Sequence, residues 1–532
     1  LLLLLDIFTV FLLIPLIFSL LDVNSTISFL SFDFIEEYKA MFALIVVLFF
    51  ISKNYISILL NKKQARTAFK LSSEYSLLIS QHYLLGNYLT FKNQKKSSII
   101  KEVIFIANDF VSNVLLSLNS ILSELILLII ITLIGIFYYP FATSVLVFFL
   151  GIVSIGVRLY NRESLLKINK IRSNDYDENL RNLNNLLNGY LSIKSNELIS
   201  QFLTKFKNSN NQLNKNYAIL HAKRVNVNKQ TEILMVIILS GIFSYIHYFP
   251  FEEFNIILFL SVFSALLFKA IPSINKLNIS FTNFNSHLFS LDILESKIRT
   301  LKKTESDEVI INFENQIILK MIDFSFKESK PLFKDFNLTI TKGSFIAIVG
   351  KSGIGKTTLL NIIAKLINPK SGYIYVDDLK INDSNKYSYF NLITYLTQKP
   401  FIYEGTILEN IVLTKKEYDV KYIHKILEEL GILEVIEQLP NHLETYIGSG
   451  GSIFSGGQMQ LICIARALIN NPQILILDEA TNNLDISSKE KVLRYIQKHS
   501  KKHNITTILI SHDIQSTKDL YTSIIDLEEH EV

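Results

Sequence analysis

The sequence predicts an α-helical membrane domain with six spans, followed by an α/β domain of the P-loop type. The chain has 532 residues, which is more than one compact core usually holds, so two or more domains are expected. Its composition is 49% hydrophobic, and the apolar residues are concentrated in the first half, which is typical of a membrane protein. In the second half, short apolar strands alternate with helices around a glycine-rich motif, which indicates a largely parallel sheet.

Six apolar segments each approach the roughly 20 residues that a helix needs to cross a bilayer. The chain begins inside one of them, and this first run lacks the small-residue cleavage site of a signal peptide. We therefore interpret it as a membrane helix whose upstream part is missing. Tyr139 and Pro140 predict a tight turn between the third and fourth segments. The segments lie at 1–21, 40–60, 115–138, 141–160, 231–249 and 254–272.

Lysine and arginine are concentrated in the two long gaps between these segments, 61–114 and 161–230, whereas the short gaps are acidic. Cytoplasmic loops carry the excess of lysine and arginine, so the long gaps and the C-terminal half are expected in the cytoplasm. The net charge of +5 then belongs to these loops, and no nucleic-acid partner is expected. Because the long gaps contain little glycine or proline, we expect the membrane helices to continue into them and turn back near 88–95 and 190–196; independent loop structure is the alternative.

A glycine-rich motif after the predicted strand Phe345–Val349 fits the phosphate-binding P-loop, in which a glycine and four residues precede Gly-Lys-Thr. A helix is predicted from Lys356, so backbone N–H groups and the helix N-terminus would face the phosphates of a nucleotide. Lys356 would reach the β- and γ-phosphates, and the hydroxyl of Thr357 would ligate Mg²⁺. The predicted phosphate-binding residues are Gly350, Ser352, Gly353, Gly355, Lys356, Thr357 and Thr358.

Two adjacent carboxylates, Asp478 and Glu479, follow the apolar strand Ile474–Leu477. A carboxylate at the end of such a strand is placed to hold the Mg²⁺ side of a nucleotide site, and the next one is placed to polarise the attacking water. The plain structural alternative is an acidic turn at the end of a strand. Further strands are predicted at 373–376, Ile393–Leu396 and 507–510.

A second motif, Phe454-Ser455-Gly456-Gly457-Gln458, resembles the signature motif of ATP-binding cassette (ABC) proteins. With the P-loop, it makes the C-terminal half similar to an ABC ATPase, which implies ATP and Mg²⁺ as cofactors. The resemblance implies that Gln398 is the Q-loop glutamine, that Asn483-Leu484-Asp485 is the D-loop and that His512 is the switch histidine. It also implies that Phe326 stacks on adenine; a core position is the alternative for Phe326, and a structural histidine for His512.

Taken together, the motifs and the resemblance imply three sets of site residues. The catalytic residues are Glu479, His512 and Gln398, and the metal ligands are Thr357, Gln398 and Asp478. Beyond the P-loop, the nucleotide-binding residues are Phe326, Ser455, Gly456, Gly457, Gln458 and Asp485.

The sequence departs from the family pattern at Phe454, Leu461, Asn483 and Ser449, where leucine, arginine, alanine and an acidic residue are usual. The changes at Phe454 and Leu461 remove no catalytic group, so two competent sites per dimer are expected, whereas Ser449 is expected to weaken the contact with a coupling helix. The single cysteine, Cys463, excludes an intrachain disulfide and a cysteine-cluster metal site, and we expect it to pack as a small apolar residue.

Six helices ahead of one cassette resemble an ABC exporter half-transporter. The predicted fold is therefore a six-span transmembrane domain of the ABC exporter type (1–294), a charged linker (295–310) and an α/β P-loop ABC ATPase domain (311–532). In this family, ATP binds between the P-loop of one cassette and the signature of another, so a second chain is implied, most simply in a homodimer. The implied location is the bacterial inner (plasma) membrane, with the nucleotide-binding domain in the cytoplasm.

Residues 265–276 are similar to the final membrane helix of the bacterial lipid-linked oligosaccharide flippase of protein N-glycosylation. The resemblance implies an amphiphilic substrate, such as a polyprenyl-pyrophosphate glycan, whose head group would meet Lys269 and Lys276. Ionisable groups in membrane spans face a cavity or pair with one another, and Asp6, Glu124 and Lys269 are the clearest. The alternatives are lysines that extend to the interface, structural pairs, or export of a peptide or protein. The six spans exclude a soluble ABC ATPase that acts on DNA or ribosomes.

Overall fold

A computed structural model of the chain forms two compact units. The first comprises Leu1–Gly86 and Asn93–Leu301, and the second comprises Asn87–Lys92 and Lys302–Val532. Most of the predicted first and fourth spans, the residues 249–255 and half of the predicted linker (302–309) lie outside the described residues. The structure describes residues 39–138, 174–248, 256–301, 310–326, 330–413, 417–448, 453–511 and 515–530, with single positions at 5, 6, 8, 9, 12, 140, 143, 144, 147, 148, 151, 152, 156 and 171.

Long helices make up the first unit. Among the described residues, two helical stretches are long and apolar enough to cross a membrane, Ala40–Leu85 and Lys96–Phe137. The first helix, α1, has 47 residues, more than twice the roughly 20 that a span requires. The helices up to residue 301 are α1 (Lys39–Leu85), α2 (Tyr88–Asn93), α3 (Lys96–Ile100), α4 (Ala107–Asp109), α5 (Leu116–Tyr138), α6 (Tyr190–Ser195), α7 (Ile199–Tyr248) and α8 (Ile256–Leu301), with π-helical turns at Lys101–Ile106 and Phe110–Leu115. All of α2 except its last residue belongs to the second unit.

The helix α8 extends further than the sequence predicts. It continues to Leu301, so the predicted linker, which was expected to start at residue 295, begins as helix. The charges in this stretch are used within the helical unit: Lys297 lies 3.2 Å from Glu102 and donates to Tyr83 Oη at 2.9 Å. Arg299 pairs with Glu295 one turn earlier on the same helix. Charges that resemble a solvated linker therefore stabilise helix packing here.

The described part of the second unit contains two main sheets and a two-stranded pair of Gly405–Thr406 with Tyr446–Ile447. The larger has five parallel strands in the order β11-β3-β10-β9-β6, which confirms the α/β fold. The smaller has four antiparallel strands in the order β2-β1-β4-β5, and the sequence did not predict it, because strands such as β2 are half exposed. The strands are β1 (Gln316–Phe324), β2 (Phe333–Thr341), β3 (Phe345–Val349), β4 (Ser371–Val376), β5 (Leu379–Lys380), β6 (Ile393–Leu396), β7 (Gly405–Thr406), β8 (Tyr446–Ile447), β9 (Ile474–Leu477), β10 (Thr506–Ile510) and β11 (Ser523–Asp526).

Two buried apolar clusters hold this unit together, and the parallel sheet contributes to both. All residues of β9 and β10 are buried, as expected for parallel strands that are covered on both faces. The carboxyl ends of β3, β6 and β9 meet at one edge of the sheet, where ligands bind in open α/β folds. The helices are α9 (Lys356–Ile363), α10 (Lys386–Phe390), α11 (Ile407–Val412), α12 (Val420–Glu429), α13 (Leu433–Glu437), α14 (Gly456–Ile469) and α15 (Ile486–His503), with 3-10 turns at His442–Glu444, Gln515–Leu520 and Leu527–His530.

Candidate nucleotide-binding site

The P-loop connects β3 to α9 and has the backbone that its glycines predict. Gly350 has a φ of 134° and Gly355 a φ of 110°, a region that L side chains rarely adopt. A Cβ atom at Gly355 would also lie only 2.8 Å from Leu332 Cδ2. Ser352 and Gly353 are exposed in the loop, and Thr358 is half-buried in the first turn of α9. The loop is thus an open concave turn at the N-terminus of a helix, as phosphate binding requires.

Lys356 lies across this loop. Its ammonium group donates to the carbonyl oxygens of Gly350 at 2.6 Å and of Lys351 at 3.0 Å, and the residue is only 6% exposed. The loop carbonyls therefore hold a buried positive charge at the mouth of the P-loop. A phosphate group that entered the loop would meet this charge together with the N-terminus of α9.

Thr357 and Asp478, which the sequence predicts as metal ligands, are in contact. Thr357 Oγ1 donates to Asp478 Oδ1 at 3.0 Å, and the phenol of Tyr395 donates to Asp478 Oδ2 at 3.2 Å. Burial raises the pKa of the Asp478 carboxyl, and these two hydrogen bonds oppose that shift. A hydroxyl and a carboxylate fit Mg²⁺, which takes few protein oxygens and completes its shell with phosphates and water. Consistently, the described residues contain no cluster of three or more His, Cys, Asp or Glu that could hold a metal alone.

Glu479 and Gln398, which the sequence predicts as catalytic residues, also meet. Gln398 Nε2 donates to Glu479 Oε2 at 2.7 Å, and Asn482 Nδ2 donates to the same oxygen at 2.8 Å. Glu479 has a φ of 53°, in the left-handed region that is uncommon for residues other than glycine. This backbone turn directly after β9 is where an active site can store strain. The P-loop, the Asp478–Glu479 pair and Gln398 therefore form one connected site.

The signature motif and the D-loop form a second cluster. Ser455 caps α14 and exchanges hydrogen bonds with Gln458, at 2.8 Å and 3.3 Å. A Cβ atom at Gly457 would lie 2.9 Å from the carbonyl oxygen of Asn483. The signature motif and the D-loop are therefore in close contact at this glycine. Gly456 lies beside the same asparagine. The sequence predicts that this cluster contacts the nucleotide of a partner chain.

Asp485 caps the helix that follows the D-loop. Its carboxylate accepts from Ser487 Oγ at 2.7 Å and from the Ser488 backbone N–H at 2.9 Å. Hydrogen bonds from Ser488 and Ser487 hold the pKa of Asp485 well below its usual range. Asp485 is therefore an ionised N-cap of α15.

Phe326 is 45% exposed, and its ring lies 5.1 Å from that of Phe324 in an edge-to-face arrangement. His512 and Ser449 lie outside the described residues. Phe454 and Leu461, the two departures in and after the signature motif, are both buried in the core, as is Cys463.

Two further residues of this unit make important contacts. The sequence analysis did not single them out. One is Tyr395. The other is Arg466 of α14, which donates to the carbonyl oxygen of Asn410 at 2.6 Å, to its side-chain oxygen at 3.1 Å and to the carbonyl oxygen of Phe401 at 2.9 Å. The signal that could have identified both is a polar side chain within an otherwise buried apolar pattern.

The helical unit contains a second set of charges. Lys53 and Lys269 each lie 2.6 Å from the same oxygen of Asp6, and Lys276 lies 2.5 Å from Glu124. Ser273 donates to the other oxygen of Glu124 at 2.6 Å. The sequence predicts that Asp6, Glu124 and Lys269 either face a cavity or form ion pairs. The structure shows that all three form ion pairs. Lys53, which the sequence analysis missed, also pairs with Asp6.

A cavity of about 1180 Å³ in the same unit is bordered by these charges. Its wall includes Asp6, Lys53, Lys63, Glu124 and Lys276. Neutral polar side chains lie between them, namely Asn54, Ser57, Asn61, Gln64, Thr67, Asn119, Ser120 and Ser123. The cavity can therefore offer many hydrogen bonds within helices that are otherwise apolar.

Comparisons with known proteins agree with this geometry. The sequence model of the ABC transporter family matches residues 333–482. The ABC multidrug transporter atrC of Emericella nidulans is 34% identical over 284 residues, which cover 49% of this chain and 22% of that protein. The ATP-dependent permease MDL1 of Candida albicans is 37% identical over 207 residues, which cover 38% and 30%. The matched part thus spans less than a third of either relative.

The similarity in structure extends beyond residues 333–482. The structure of a bacterial Atm1-family ABC exporter with ATP bound superposes with a TM-score of 0.83, covers 99% of this chain and 91% of the other, and is 18% identical in sequence. An identity this low shows the fold alone. The chain therefore has the fold of an ABC exporter, a helical region followed by an α/β domain, and residues 333–482 of the α/β domain match the ABC transporter family.

Proposed function

We propose that the chain is one half of an exporter that hydrolyses ATP to move an amphiphilic substrate across a membrane. The observation that carries this proposal is the connected site at the edge of the parallel sheet, where Thr357 contacts Asp478 and Gln398 contacts Glu479. The same chain holds two long apolar helices among its described residues. A phosphate-binding site fused to such helices fits coupled transport better than a soluble ATPase.

In this proposal, each side chain has one task. The P-loop and Lys356 bind the phosphates, and Glu479 orients the attacking water, held in place by Gln398 and Asn482. Thr357 and Asp478 would hold Mg²⁺, which supplies positive charge to the phosphate oxygens when bound. The preorganised P-loop amides and Lys356 would stabilise the negative charge that develops on the transferred phosphoryl group.

The proposed unit of function is a pair of chains. Each chain has one P-loop and one signature motif, and these belong to two separate clusters of contacts. If ATP binds between the P-loop of one chain and the signature of another, as the resemblance implies, two copies complete two sites. A homodimer is the simplest such pair.

The proposed substrate is an amphiphile with an anionic head group, such as a lipid-linked oligosaccharide. Lysines outnumber carboxylates in the cavity wall, where Lys53, Lys63 and Lys276 face Asp6 and Glu124. The neutral amide and hydroxyl side chains there suit a polar head group. The two relatives described above are named for multidrug transport and as a permease, so the glycolipid rests on the resemblance of residues 265–276 and on this cavity.

The proposed location is a membrane, with the ATPase domain on the cytoplasmic side because of the lysine and arginine asymmetry of the long gaps. The bacterial inner membrane is proposed from the resemblance to the flippase. The two relatives described above are fungal and give this assignment no support.

Reconstitution of the purified chain into liposomes tests the proposal. Wild type should hydrolyse ATP, and Lys356→Ala should lose most nucleotide binding, since it removes the buried positive charge of the P-loop. Lys501→Ala is the control, because Lys501 is exposed in the last turn of α15 and belongs to no predicted site. If Lys356→Ala turned over ATP as fast as wild type, the site assignment would be wrong.

A further inference from the structure

Both oxygens of the Asp478 carboxylate are held by hydroxyl groups. Thr357 donates to Oδ1 at 3.0 Å, and Tyr395 donates to Oδ2 at 3.2 Å. Thr357 already has a role in the P-loop motif, whereas Tyr395 belongs to none of the motifs in the chain. The contact with Asp478 therefore indicates the role of the Tyr395 phenol.

The sheet brings Tyr395 to this position. Strands β6 and β9 are parallel neighbours, with Tyr395 opposite Ile476 and Leu396 opposite Leu477. The backbone N–H of Asp478 donates to the carbonyl oxygen of Leu396 at 2.9 Å, so the two strand ends are locked in register. The ring of Tyr395 packs against the buried apolar cluster below the site, which fixes the direction of its hydroxyl.

The hydrogen of this contact comes from the tyrosine, because an ionised carboxylate can only accept hydrogen bonds. Thr357 and Tyr395 donate to different oxygens of Asp478, so a rotation of the carboxylate would disturb both contacts. Tyr395 therefore helps to fix the direction of the Asp478 carboxylate.

We propose that Tyr395 is a positioning residue for the Mg²⁺ site. Its phenol holds one oxygen of Asp478, so that the other oxygen stays directed at Thr357. This inference rests on the proposed ATPase function. A carboxylate that can rotate would lose part of its alignment with the Thr357 hydroxyl, and a supporting hydrogen bond to a ligand commonly matters for metal affinity.

Equilibrium binding of ATP to Tyr395→Phe, with Mg²⁺ and with EDTA, tests the inference. A hydrogen bond to a charged group contributes about 1.5–3 kcal/mol, which corresponds to roughly a 10- to 100-fold change in affinity. We expect the affinity for ATP with Mg²⁺ to fall about 10-fold and the half-saturating Mg²⁺ concentration to rise similarly. The affinity in EDTA should stay within a factor of about two, because the P-loop contacts are unchanged.

The matched control is Tyr389→Phe. Tyr389 is fully buried in the same apolar cluster, and its phenol donates to the carbonyl oxygen of Ile363 at 2.9 Å. Tyr389→Phe also deletes a phenol oxygen but leaves the contacts of Asp478 unchanged, so the Mg²⁺ dependence of ATP binding should not change. Equal shifts in the two variants would show that Tyr395 is only a packing residue.

A double-mutant cycle with Asp478→Asn gives a second measurement. If Tyr395 acts through Asp478, Tyr395→Phe should have no further effect on Mg²⁺ dependence in the Asp478→Asn background. An unchanged Mg²⁺ dependence of Tyr395→Phe in the otherwise native chain would overturn this inference alone. A wild type that binds no ATP would overturn the proposed function and the inference with it.

Discussion

Gln398 and Glu479 share a hydrogen bond of 2.7 Å across the end of the parallel sheet. Asn482 donates to the same Glu479 oxygen at 2.8 Å, so two amides hold one carboxylate. Because Gln398 follows β6 and Glu479 follows β9, a shift of either strand end would change the direction of the carboxylate. The orientation of the proposed water-activating group therefore depends on Gln398, which the resemblance identifies as the Q-loop glutamine.

Glu479→Gln should bind ATP and fail to hydrolyse it. The amide keeps the size of the side chain but cannot polarise water as a carboxylate does, so we expect turnover to fall by about 10²- to 10⁴-fold. Nucleotide binding and dimerisation with ATP should persist, since the P-loop is intact. Glu490→Gln is a suitable control, because Glu490 pairs with Arg494 on the surface of α15. Wild-type turnover in purified Glu479→Gln would remove Glu479 from the catalytic set.

Mixed dimers should show whether each site is composite. Lys356→Ala and Ser455→Arg should each be inactive alone, whereas a co-purified dimer of the two chains should recover one intact site and part of the ATPase rate. The control places both substitutions in one chain and pairs it with wild type. That dimer should have no intact site, because each of its sites takes one half from the altered chain. Equal activity of the two mixed dimers would argue against sites shared between copies of this chain.

Arg466→Ala should destabilise the ATPase domain. The guanidinium is buried and makes three hydrogen bonds to Asn410 and Phe401, so its removal leaves buried carbonyl oxygens without this donor. We expect a loss of about 2–4 kcal/mol and a clear drop in melting temperature. Arg494→Ala is the matched control, since Arg494 is exposed and its surface pairs with Glu490 and Asp519 should contribute little to the stability. Similar drops in both variants would contradict a special role for Arg466.

Lys269→Ala combined with Lys276→Ala should leave basal ATPase nearly intact but abolish flipping of a lipid-linked glycan in proteoliposomes. It should also remove stimulation of ATPase by that lipid, because two cationic groups of the proposed route are lost. Asp6→Asn combined with Glu124→Gln removes the partner charges instead and leaves the lysines. If the lysines bind an anionic head group, this second variant should keep its response to the lipid.

Two outcomes would contradict the glycolipid proposal. Equal loss of flipping in both double variants would mean that the ion pairs only support the helices. Stimulation of the wild type by a peptide but not by the glycolipid would favour peptide export.

The motifs and the strand ends predicted that Thr357, Asp478 and Glu479 belong to one site, and their role there stays a prediction. Contacts between distant segments outside these motifs were not predictable in this way. Tyr395 and Asp478 are 83 positions apart, and Arg466 and Asn410 are 56 apart. The start of the linker was misjudged for the same reason, because Lys297 finds its partner Glu102 on another helical segment. A pattern along the chain shows which residues are charged or buried, but not which of them meet.

The second compact unit is interrupted in the sequence, because it takes in Asn87–Lys92 as well as the C-terminal half. Tyr88 and Leu89 pack against the same buried cluster as β3 and β9. A fragment that starts at residue 302 would therefore lack two side chains that pack against its buried cluster. It would expose an apolar patch in their place. Such a fragment should be more prone to aggregate than one to which residues 87–92 are restored, whether as a fused extension or as an added peptide.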